Sequence, residues 1–384
     1  MIQFRTGSHI WQLVTMLSFV GEYPMRSLHL IGNERVLKAL IRKLSVSQII
    51  RNSQTGMEIK TRVFSISGTG KDKTLRLYRG ALPILDWIHP NAREYYLAAF
   101  KNHHFSGDTL HCNRNHRVAE TAAMCMAAGI EARPYVLPAL QNESIAMVLP
   151  QSGTVMYTAR ALKQIGDGES SKTMFTRLTG TLFGGNICYA LYNTRNAEMK
   201  WSGMGEFKAL HSLTEISRLN TGINQITAAI LFCQSEEVAL KTLLNSDKND
   251  QNRMRFDSIY RNIHVIPMSE EGIRQLRLFA VSDWKEKLLD RLFDREDMSF
   301  NRGQFEYDAC VEGVYVLSYL DGDIARLMRF REAVMWRSLP CEVLCYLHQY
   351  RFLKEYLGQL VRIKTIDLCV IEAELFEKET EGEH

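Results

Sequence analysis

Hydrophobic and polar positions near the start of the chain follow a helical period. Apolar residues recur at spacings of three and four over residues 10–20, which predicts a first helix. A short second helix is predicted over residues 25–31. A third begins after Asn33, a suitable N-cap, with Glu34 favourably placed in its first turn. The apolar face predicted for this third helix consists of Val36, Leu37, Leu40, Ile41 and Leu44. Its basic face consists of Arg35, Lys38, Arg42 and Lys43.

After this helix the pattern becomes β-prone. Residues 59–66 and 74–78 predict two strands, and the polar glycine turn over residues 68–73 joins them. The basic residues of this hairpin are Arg62, Lys71, Lys73 and Arg76. Three helices followed by a hairpin is the order of a winged helix, in which the third helix enters the major groove and the hairpin forms the wing. The sequence therefore predicts a winged-helix DNA-binding domain over residues 1–104, ending in a connecting helix over residues 83–100.

From residue 105 onward, short apolar strands alternate with helices, which predicts an α/β fold with a mixed sheet. We expect one α/β domain over residues 105–282 and a C-terminal α/β region over residues 283–384, which ends in an acidic tail. The stretch over residues 102–115 is polar and rich in histidine and is expected to be a loop at the domain boundary. Strands are predicted at 133–137, 145–149, 154–158, 187–192, 226–233, 262–266, 314–319, 342–347 and 361–370. Helices are predicted at 116–129, 171–183, 206–219, 236–244, 270–278, 284–293 and 324–335.

Charge is distributed unevenly along the 384 residues. The composition itself is ordinary for a globular protein, with 46% hydrophobic and 23% charged residues, and it excludes disorder, collagen and coiled coil as the main state. Residues 1–104 contain 15 Lys and Arg against 6 Asp and Glu, a net charge of +9. The remaining residues contain 32 against 37, a net charge of −5. A basic module on an acidic body indicates a polyanionic partner.

Membrane insertion and secretion are not expected. No apolar run approaches the roughly 18–20 residues of a spanning helix, and the first residues lack the pattern of a secretory signal. Eight cysteines without paired spacing predict reduced thiols in a cytoplasmic protein and no zinc site. Asp321 and Asp323 lack a third ligand at calcium-loop spacing, so we expect Asp323 to cap the next helix. Arg326, Arg329 and Arg331 of that helix are expected on a solvated face, and a second phosphate contact is the alternative.

Several motifs resemble the replication-relaxation family, which is found on plasmids and integrative mobile elements of bacteria. The resemblance covers roughly residues 10–280 and implies association with DNA and a link to replication or transfer of the element. It does not by itself imply a reaction. Besides the basic winged-helix start, the motifs are His116-Arg117-Val118-Ala119-Glu120, Thr158-Ala159-Arg160-Ala161-Leu162-Lys163, Arg177-Leu178-Thr179-Gly180, Tyr189-Ala190-Leu191-Tyr192-Asn193-Thr194 and Met199-Lys200-Trp201.

Relatives in this family resemble restriction-type nucleases, which implies a restriction-endonuclease-like core for residues 105–282. Such nucleases use two or three carboxylates to hold Mg²⁺ and a lysine to polarise the attacking water. The candidates are Glu120, Glu206 and Lys208. The matching strand over residues 187–192 ends in Asn193 and carries no carboxylate, so this core is expected to be inactive. Mg²⁺ is a cofactor only under the nuclease alternative, and no other metal or cofactor is expected.

The sequence disfavours two further kinds of site. A Walker-type phosphate loop is disfavoured because Asp72 follows Gly70-Lys71 and Ser65 stands where the first glycine is needed. A histidine-type relaxase is disfavoured because no His-x-His pair occurs.

The leading hypothesis is a double-stranded DNA-binding protein of a mobile genetic element, acting in replication or transfer or their control. A Mg²⁺-dependent nickase, and a scaffold that recruits replication or transfer proteins, remain alternatives.

Overall fold

The computed structural model forms two compact units. The first consists of Met1–Ala127 with two short later segments, and the second contains most of the remaining chain. The predicted domain boundaries at residues 104 and 282 remain predictions. The structure describes residues 1–100, 108–132, 154–163, 177–184, 187–199, 204–221, 223, 226–247, 256–281, 283–298, 305–337 and 339–376.

Helices and strands alternate through most of the described chain, which confirms the predicted mixed α/β class. The α-helices are α1 (His9–Val20), α2 (Glu34–Leu44), α3 (Ala92–Ala99), α4 (Thr109–Ala127), α5 (Ala159–Lys163), α6 (Met204–Thr221), α7 (Glu237–Asp247), α8 (Glu270–Leu276), α9 (Trp284–Leu292), α10 (Ile324–Arg337), α11 (Leu347–Leu357) and α12 (Leu368–Phe376). Short 3₁₀ helices cover Met25–Leu30, Gly70–Asp72, Arg79–Trp87, Phe256–Ser258 and Arg277–Ala280.

The strands are short in the first unit and longer in the second. They are β1 (Ile2–Phe4), β2 (Glu22–Pro24), β3 (Gln48–Asn52), β4 (Glu58–Thr61), β5 (Phe64–Ser67), β6 (Thr74–Leu77), β7 (Glu131–Ala132), β8 (Thr154–Thr158), β9 (Leu178–Gly184), β10 (Ile187–Arg195), β11 (Ala228–Cys233), β12 (Asn262–Pro267), β13 (Ala309–Val311), β14 (Val314–Ser318), β15 (Cys341–Tyr346) and β16 (Arg362–Ile366).

Two three-stranded sheets organise the first unit. One has the order β2-β6-β5, and all its pairs are antiparallel, with Glu22 opposite Arg76. The other has the order β1-β3-β4. Helix α1 ends at Gly21, whose φ of +78° suits glycine, and a Cβ there would lie 2.5 Å from the ring of Phe100. The close approach of this ring and the positive φ both require glycine at this position.

A mixed sheet is the main sheet of the second unit. Within this unit the strands have the order β12-β11-β10-β9-β8, and β10, β11 and β12 are parallel to one another. Strand β9 pairs with β10 in the antiparallel direction. All six residues of β11 are buried, as expected for a strand that is covered on both faces.

A second sheet of this unit has the order β13-β14-β15-β16. Its last three strands are parallel, because α10 and α11 return the chain to the same edge after each strand. In the part of the chain that the structure describes, no helix has the length and apolarity required to cross a membrane.

A buried ion-pair cluster joins β12 to the start of α10. The guanidinium of Arg326 donates to Asp308 Oδ1 at 2.7 Å and lies 4.0 Å from Asp321. Asp323 caps α10, as the sequence predicted, by accepting from the main-chain N–H groups of Ala325 and Arg326. Burial acts to raise the pKa of Asp323, but the charges of His264 and Arg326 lower it below its ordinary value. The surrounding carboxylates raise the pKa of Arg326 despite its burial.

Several predicted elements differ from the structure. Of the helix predicted over residues 171–183, residues 171–176 lie outside the described residues, and the rest forms strand β9. The loop predicted over residues 102–115 is wrong from Thr109 onward, where α4 begins, because the polar residues 109–115 occupy its first two turns. The predicted helix over residues 83–100 is a 3₁₀ helix followed by α3, since Pro83 and Pro90 interrupt regular α-helix.

Other predictions are confirmed within a few residues at each end. They include the strands β8, β10, β11, β12, β14 and β15 and the helices α6, α7, α9 and α10. The strand predicted over residues 361–370 is shorter, because α12 begins at Leu368. Those predicted at 133–137 and 145–149 lie outside the described residues, as does the end of the acidic tail.

Replacing Arg326 by methionine should destabilise the protein strongly. The variant leaves the buried carboxylates of Asp308 and Asp321 without the cation of Arg326. Removing one partner of a buried ion pair costs about 3–5 kcal/mol. Urea unfolding followed by circular dichroism measures this loss. Arg351→Met, which removes an exposed arginine of α11, is the matched control and should change little. A loss of less than about 1 kcal/mol, as for an exposed ion pair, would contradict this account of the cluster.

Candidate nucleic-acid interface

Helix α2 presents a basic face to solvent. Its opposite face is fixed by Leu37, Ile41 and Leu44, which are fully buried. The side-chain oxygen of Asn33 caps the helix by accepting from the main-chain N–H groups of Arg35 and Val36. The predicted cap is therefore confirmed. The exposed basic side chains that result are those of Arg35, Arg42 and Lys43.

Two residues of α2 differ from the simple two-faced pattern. Lys38 forms an ion pair with Glu34 one turn earlier, and both side chains are about two-fifths exposed, at 44% and 41%. Val36 was predicted on the apolar face but is 49% exposed. The apolar face is therefore narrower than its sequence spacing indicated, and Val36 lies among the basic side chains.

The β5–β6 hairpin carries a second group of exposed cations. Gly68 has a φ of +80°, and a Cβ at this position would lie 2.5 Å from the main-chain oxygen of Asp72. This turn therefore requires glycine, and it exposes Lys71 and Lys73 on the loop. Arg62 is also exposed, and its guanidinium stacks over the ring of Tyr78 at 3.9 Å.

Arg76, another predicted DNA-binding residue, forms an ion pair with Glu22 of the same unit. Its Nε and Nη2 atoms lie 2.9 Å and 2.8 Å from Oε2 of Glu22, which faces it across β2 and β6. Glu22 is only 1% exposed, so the ion pair is shielded from solvent on the carboxylate side. Arg76 therefore helps to hold the sheet, in contrast to Lys71 and Lys73.

His116 completes the environment of Glu22. Its Nε2 atom lies 3.0 Å from Oε1 of the carboxylate. His116 is buried on helix α4, within the helix predicted over residues 116–129. Burial raises the pKa of Glu22, but the His116 hydrogen bond and the Arg76 charge lower it below its ordinary value of 4.5.

The three candidate nuclease residues have separate environments. Glu120 is buried in the first unit, where the hydroxyl of Ser27 donates to it at 2.7 Å. Glu206 belongs to the second unit and lies 3.3 Å from Arg177. Lys208 is exposed on the same helix, α6. Glu120 and Glu206 each contact a partner of their own unit.

Strand β10 carries no acidic side chain, and its last residues are occupied by internal contacts. Asn193 is buried, accepts from the N–H group of Arg195 and donates to the sulfur of Met268 at 3.5 Å. Tyr189 and Tyr192 are also buried and belong to the core of the sheet.

One further cluster has the composition of a metal site. Single ligand atoms of His264, Asp321 and Asp323 lie within 4.8 Å of one another, and all three residues are buried. The two aspartates are close together in the sequence, but His264 belongs to β12 and lies too far away along the chain for a local pattern to pair it with them. Both oxygens of Asp323 already accept hydrogen bonds, from Asn262 and from main-chain N–H groups. Together with the charge of Arg326, these donors favour a structural cluster over a metal site.

The arginines of α10 do not form the predicted solvated face. Arg326 is 6% exposed. Arg329 donates to Glu306 at 3.0 Å, and Arg331 stacks over the ring of Tyr356 at 4.3 Å. These contacts disfavour α10 as a second phosphate-binding surface.

Comparisons with known proteins found no match to a family model, to a curated protein or to a solved structure. The candidate interface therefore rests on the residues of this chain. Its members are the exposed side chains of Arg35, Arg42, Lys43, Arg62, Lys71 and Lys73.

Glu22→Gln should destabilise the protein in a pH-dependent manner. Because its pKa is lowered in the folded protein, the carboxylate of Glu22 stabilises the fold at pH values above its ordinary pKa of 4.5. This contribution is lost as the pH falls through the pKa of the folded state. We expect a loss of about 3 kcal/mol at pH ~7 that shrinks steadily below pH 4.5. Urea unfolding across this range measures the effect, with the exposed Glu58→Gln as control. Equal losses at neutral and acidic pH would contradict the role assigned to the carboxylate.

Proposed function

We propose that the protein binds double-stranded DNA through its first unit and serves the replication or transfer of a bacterial mobile genetic element, or the control of these processes. The observation that carries the DNA-binding part is the exposed basic face of α2 in the same unit as the lysine-bearing β5–β6 hairpin. A bacterial cytoplasmic location and replication or transfer proteins as partners belong to the same proposal. The link to a mobile element rests on the motif resemblance alone.

The order and pairing of elements support a winged-helix interpretation. The chain runs through α1, β2, a 3₁₀ helix, α2, β5 and β6, and β2 pairs with β6 at the edge of the sheet. In this arrangement α2 is the recognition helix and the β5–β6 turn is the wing. The β3–β4 hairpin is an insertion between the recognition helix and the wing strands.

The side chains of α2 suit both kinds of DNA contact. Arginine can donate two parallel hydrogen bonds to the major-groove edge of guanine, whereas lysines and arginines at the margin neutralise phosphates. Arg35 and Arg42 lie on the outer side of the helix, opposite the buried Leu37 and Ile41. We assign base contacts to these two arginines and phosphate contacts to Lys43, Lys71 and Lys73.

A Mg²⁺-dependent nickase is the rival function. The antiparallel pair β9–β10, followed by the parallel strand β11, resembles the strand order of restriction-type nucleases. The side chains disfavour metal-dependent catalysis, because β10 carries no carboxylate and Glu206 forms an ion pair with Arg177. The third hypothesis is a scaffold that recruits replication or transfer proteins through the acidic part of the chain after residue 104. No contact among the described residues favours this hypothesis.

DNA affinity should depend on salt and on two separable groups of residues. Fluorescence anisotropy with the full chain should give a slope of about −3 for log K against log salt, because Lys43, Lys71 and Lys73 neutralise about three phosphates. The double variant Lys71→Ala, Lys73→Ala should weaken binding to all duplexes alike and flatten the slope by up to about 2. Arg35→Ala or Arg42→Ala should instead reduce discrimination between sites by about 1–3 kcal/mol.

Lys241→Ala is the matched control for this experiment. Lys241 is an exposed lysine of α7 in the second unit, so the variant changes the net charge without touching the proposed interface. A loss of affinity equal to that of the α2 and wing variants would show that binding follows total charge, and the proposed interface would then be wrong.

The purified protein should not nick supercoiled plasmid in the presence of Mg²⁺. The reason is that β10 carries no carboxylate. Asn193, at the end of this strand, accepts a hydrogen bond from the main-chain N–H of Arg195 and donates one to the sulfur of Met268. Agarose gel electrophoresis with Mg²⁺ and with a chelator measures this. Metal-dependent nicking that is abolished by Glu206→Ala or Glu120→Ala, and retained in Lys241→Ala, would establish the rival function.

A further inference from the structure

A cavity of about 300 Å³ lies in the first unit, beside the turn of the β5–β6 hairpin. Residues of β2, of the hairpin and of α4 line it. This volume is at the lower end of the range typical of small-molecule sites. A ligand of that size is comparable to a small phosphorylated metabolite or to a single nucleotide.

The charge of the cavity wall is strongly biased. Four cationic side chains, Arg26, Lys71, Lys73 and Arg76, face two carboxylates, Glu22 and Asp72, which leaves a net charge of +2. No carboxylate in the described part of the chain lies within ion-pair distance of Arg26, Lys71 or Lys73. Like charges held around one concave surface repel one another, so an anion in the cavity would relieve this repulsion.

The inner wall of the cavity is preorganised. Glu22 is 1% exposed and holds the Arg76 guanidinium through its Nε and Nη2 atoms. The Nη1 atom of Arg76 makes no hydrogen bond with the residues that the structure describes. Ser67 and Thr74 also line the cavity, and a hydroxyl group can donate to an oxyanion. A fixed guanidinium with neighbouring hydroxyl donors is a suitable arrangement for phosphate.

We propose that this cavity binds a phosphate monoester. A monoester carries a charge of about −1.5 to −2 at neutral pH, which matches the excess charge of the wall, whereas a backbone phosphodiester carries only one charge. The site differs from a Walker-type loop because side chains, and not a glycine-rich stretch of main-chain N–H groups, supply the donors. The ligand is either a small phosphorylated molecule or the 5′-phosphate at a DNA end.

Binding is tested with inorganic phosphate as the probe, using calorimetry on the full chain at constant ionic strength. Phosphate should bind, and dimethyl phosphate, which has the charge of a diester, should bind at least about tenfold more weakly. The double variant Arg26→Gln, Lys73→Gln should weaken phosphate binding by about tenfold or more, since it removes two cationic donors from the cavity wall. Both replaced side chains are exposed, so the fold should be retained.

Lys60→Gln is the matched control, because Lys60 is an exposed lysine of β4 that does not line the cavity. Absence of phosphate binding, equal binding of dimethyl phosphate, or equal losses in the control and the double variant would each overturn the proposal. Circular dichroism confirms that the variants are folded. A further variant, Lys71→Gln, tests the site independently and should also weaken phosphate binding.

Two pairs of ligands distinguish the sources of the monoester. Adenosine monophosphate is compared with adenosine, and an oligonucleotide with a 5′-phosphate is compared with the same oligonucleotide ending in a 5′-hydroxyl. A preference for the phosphorylated member of either pair supports the site and identifies its source, and a preference in neither pair overturns the proposal.

The cavity and the proposed DNA interface share Lys71 and Lys73, but the two proposals can fail separately. Duplex binding that persists when phosphate binding is absent would leave the DNA-binding proposal intact. Phosphate binding without duplex affinity would leave the cavity as a small-molecule site.

Discussion

The buried carboxylate of Glu22 joins three elements of the first unit, namely its own strand β2, strand β6 and helix α4. It receives Arg76 from the neighbouring strand and His116 from α4, and it is almost completely removed from solvent. A buried charge of this kind is tolerated only when its partners remain in place. The ion pair with Glu22 therefore holds the β5–β6 hairpin, which carries Lys71 and Lys73, against β2. It also fixes the orientation of the Arg76 guanidinium, which lines the cavity.

The basic residues of this protein fall into two physical classes. Arg76 and Arg326 are partners of buried carboxylates and contribute to stability. Arg35 and Arg42 are exposed on α2, opposite its buried face, and their charges are available to a partner. The sequence does not distinguish these classes, because both occur on amphipathic elements with similar neighbours. Burial and ion pairing separate them, and only the exposed class supports the DNA-binding proposal.

Local features of the sequence predicted more of the structure than distant ones. Asn33 and Asp323 were identified as helix caps because capping depends on residues two or three positions away. The pairs Glu22–Arg76 and His264–Asp321 join residues far apart in the chain, and no local pattern indicates them. Residues 178–183 were predicted as part of a helix because a short apolar run does not distinguish a buried strand from a buried helix.

The proposed interface is tested most directly by amide hydrogen exchange of the full chain with and without duplex DNA, followed by mass spectrometry. The account predicts slower exchange in α2 (Glu34–Leu44) and in the turn between β5 and β6, with the strands of the second unit unchanged. Protection restricted to the second unit, or no protection under conditions in which the duplex is bound, would contradict the assignment of DNA binding to the first unit.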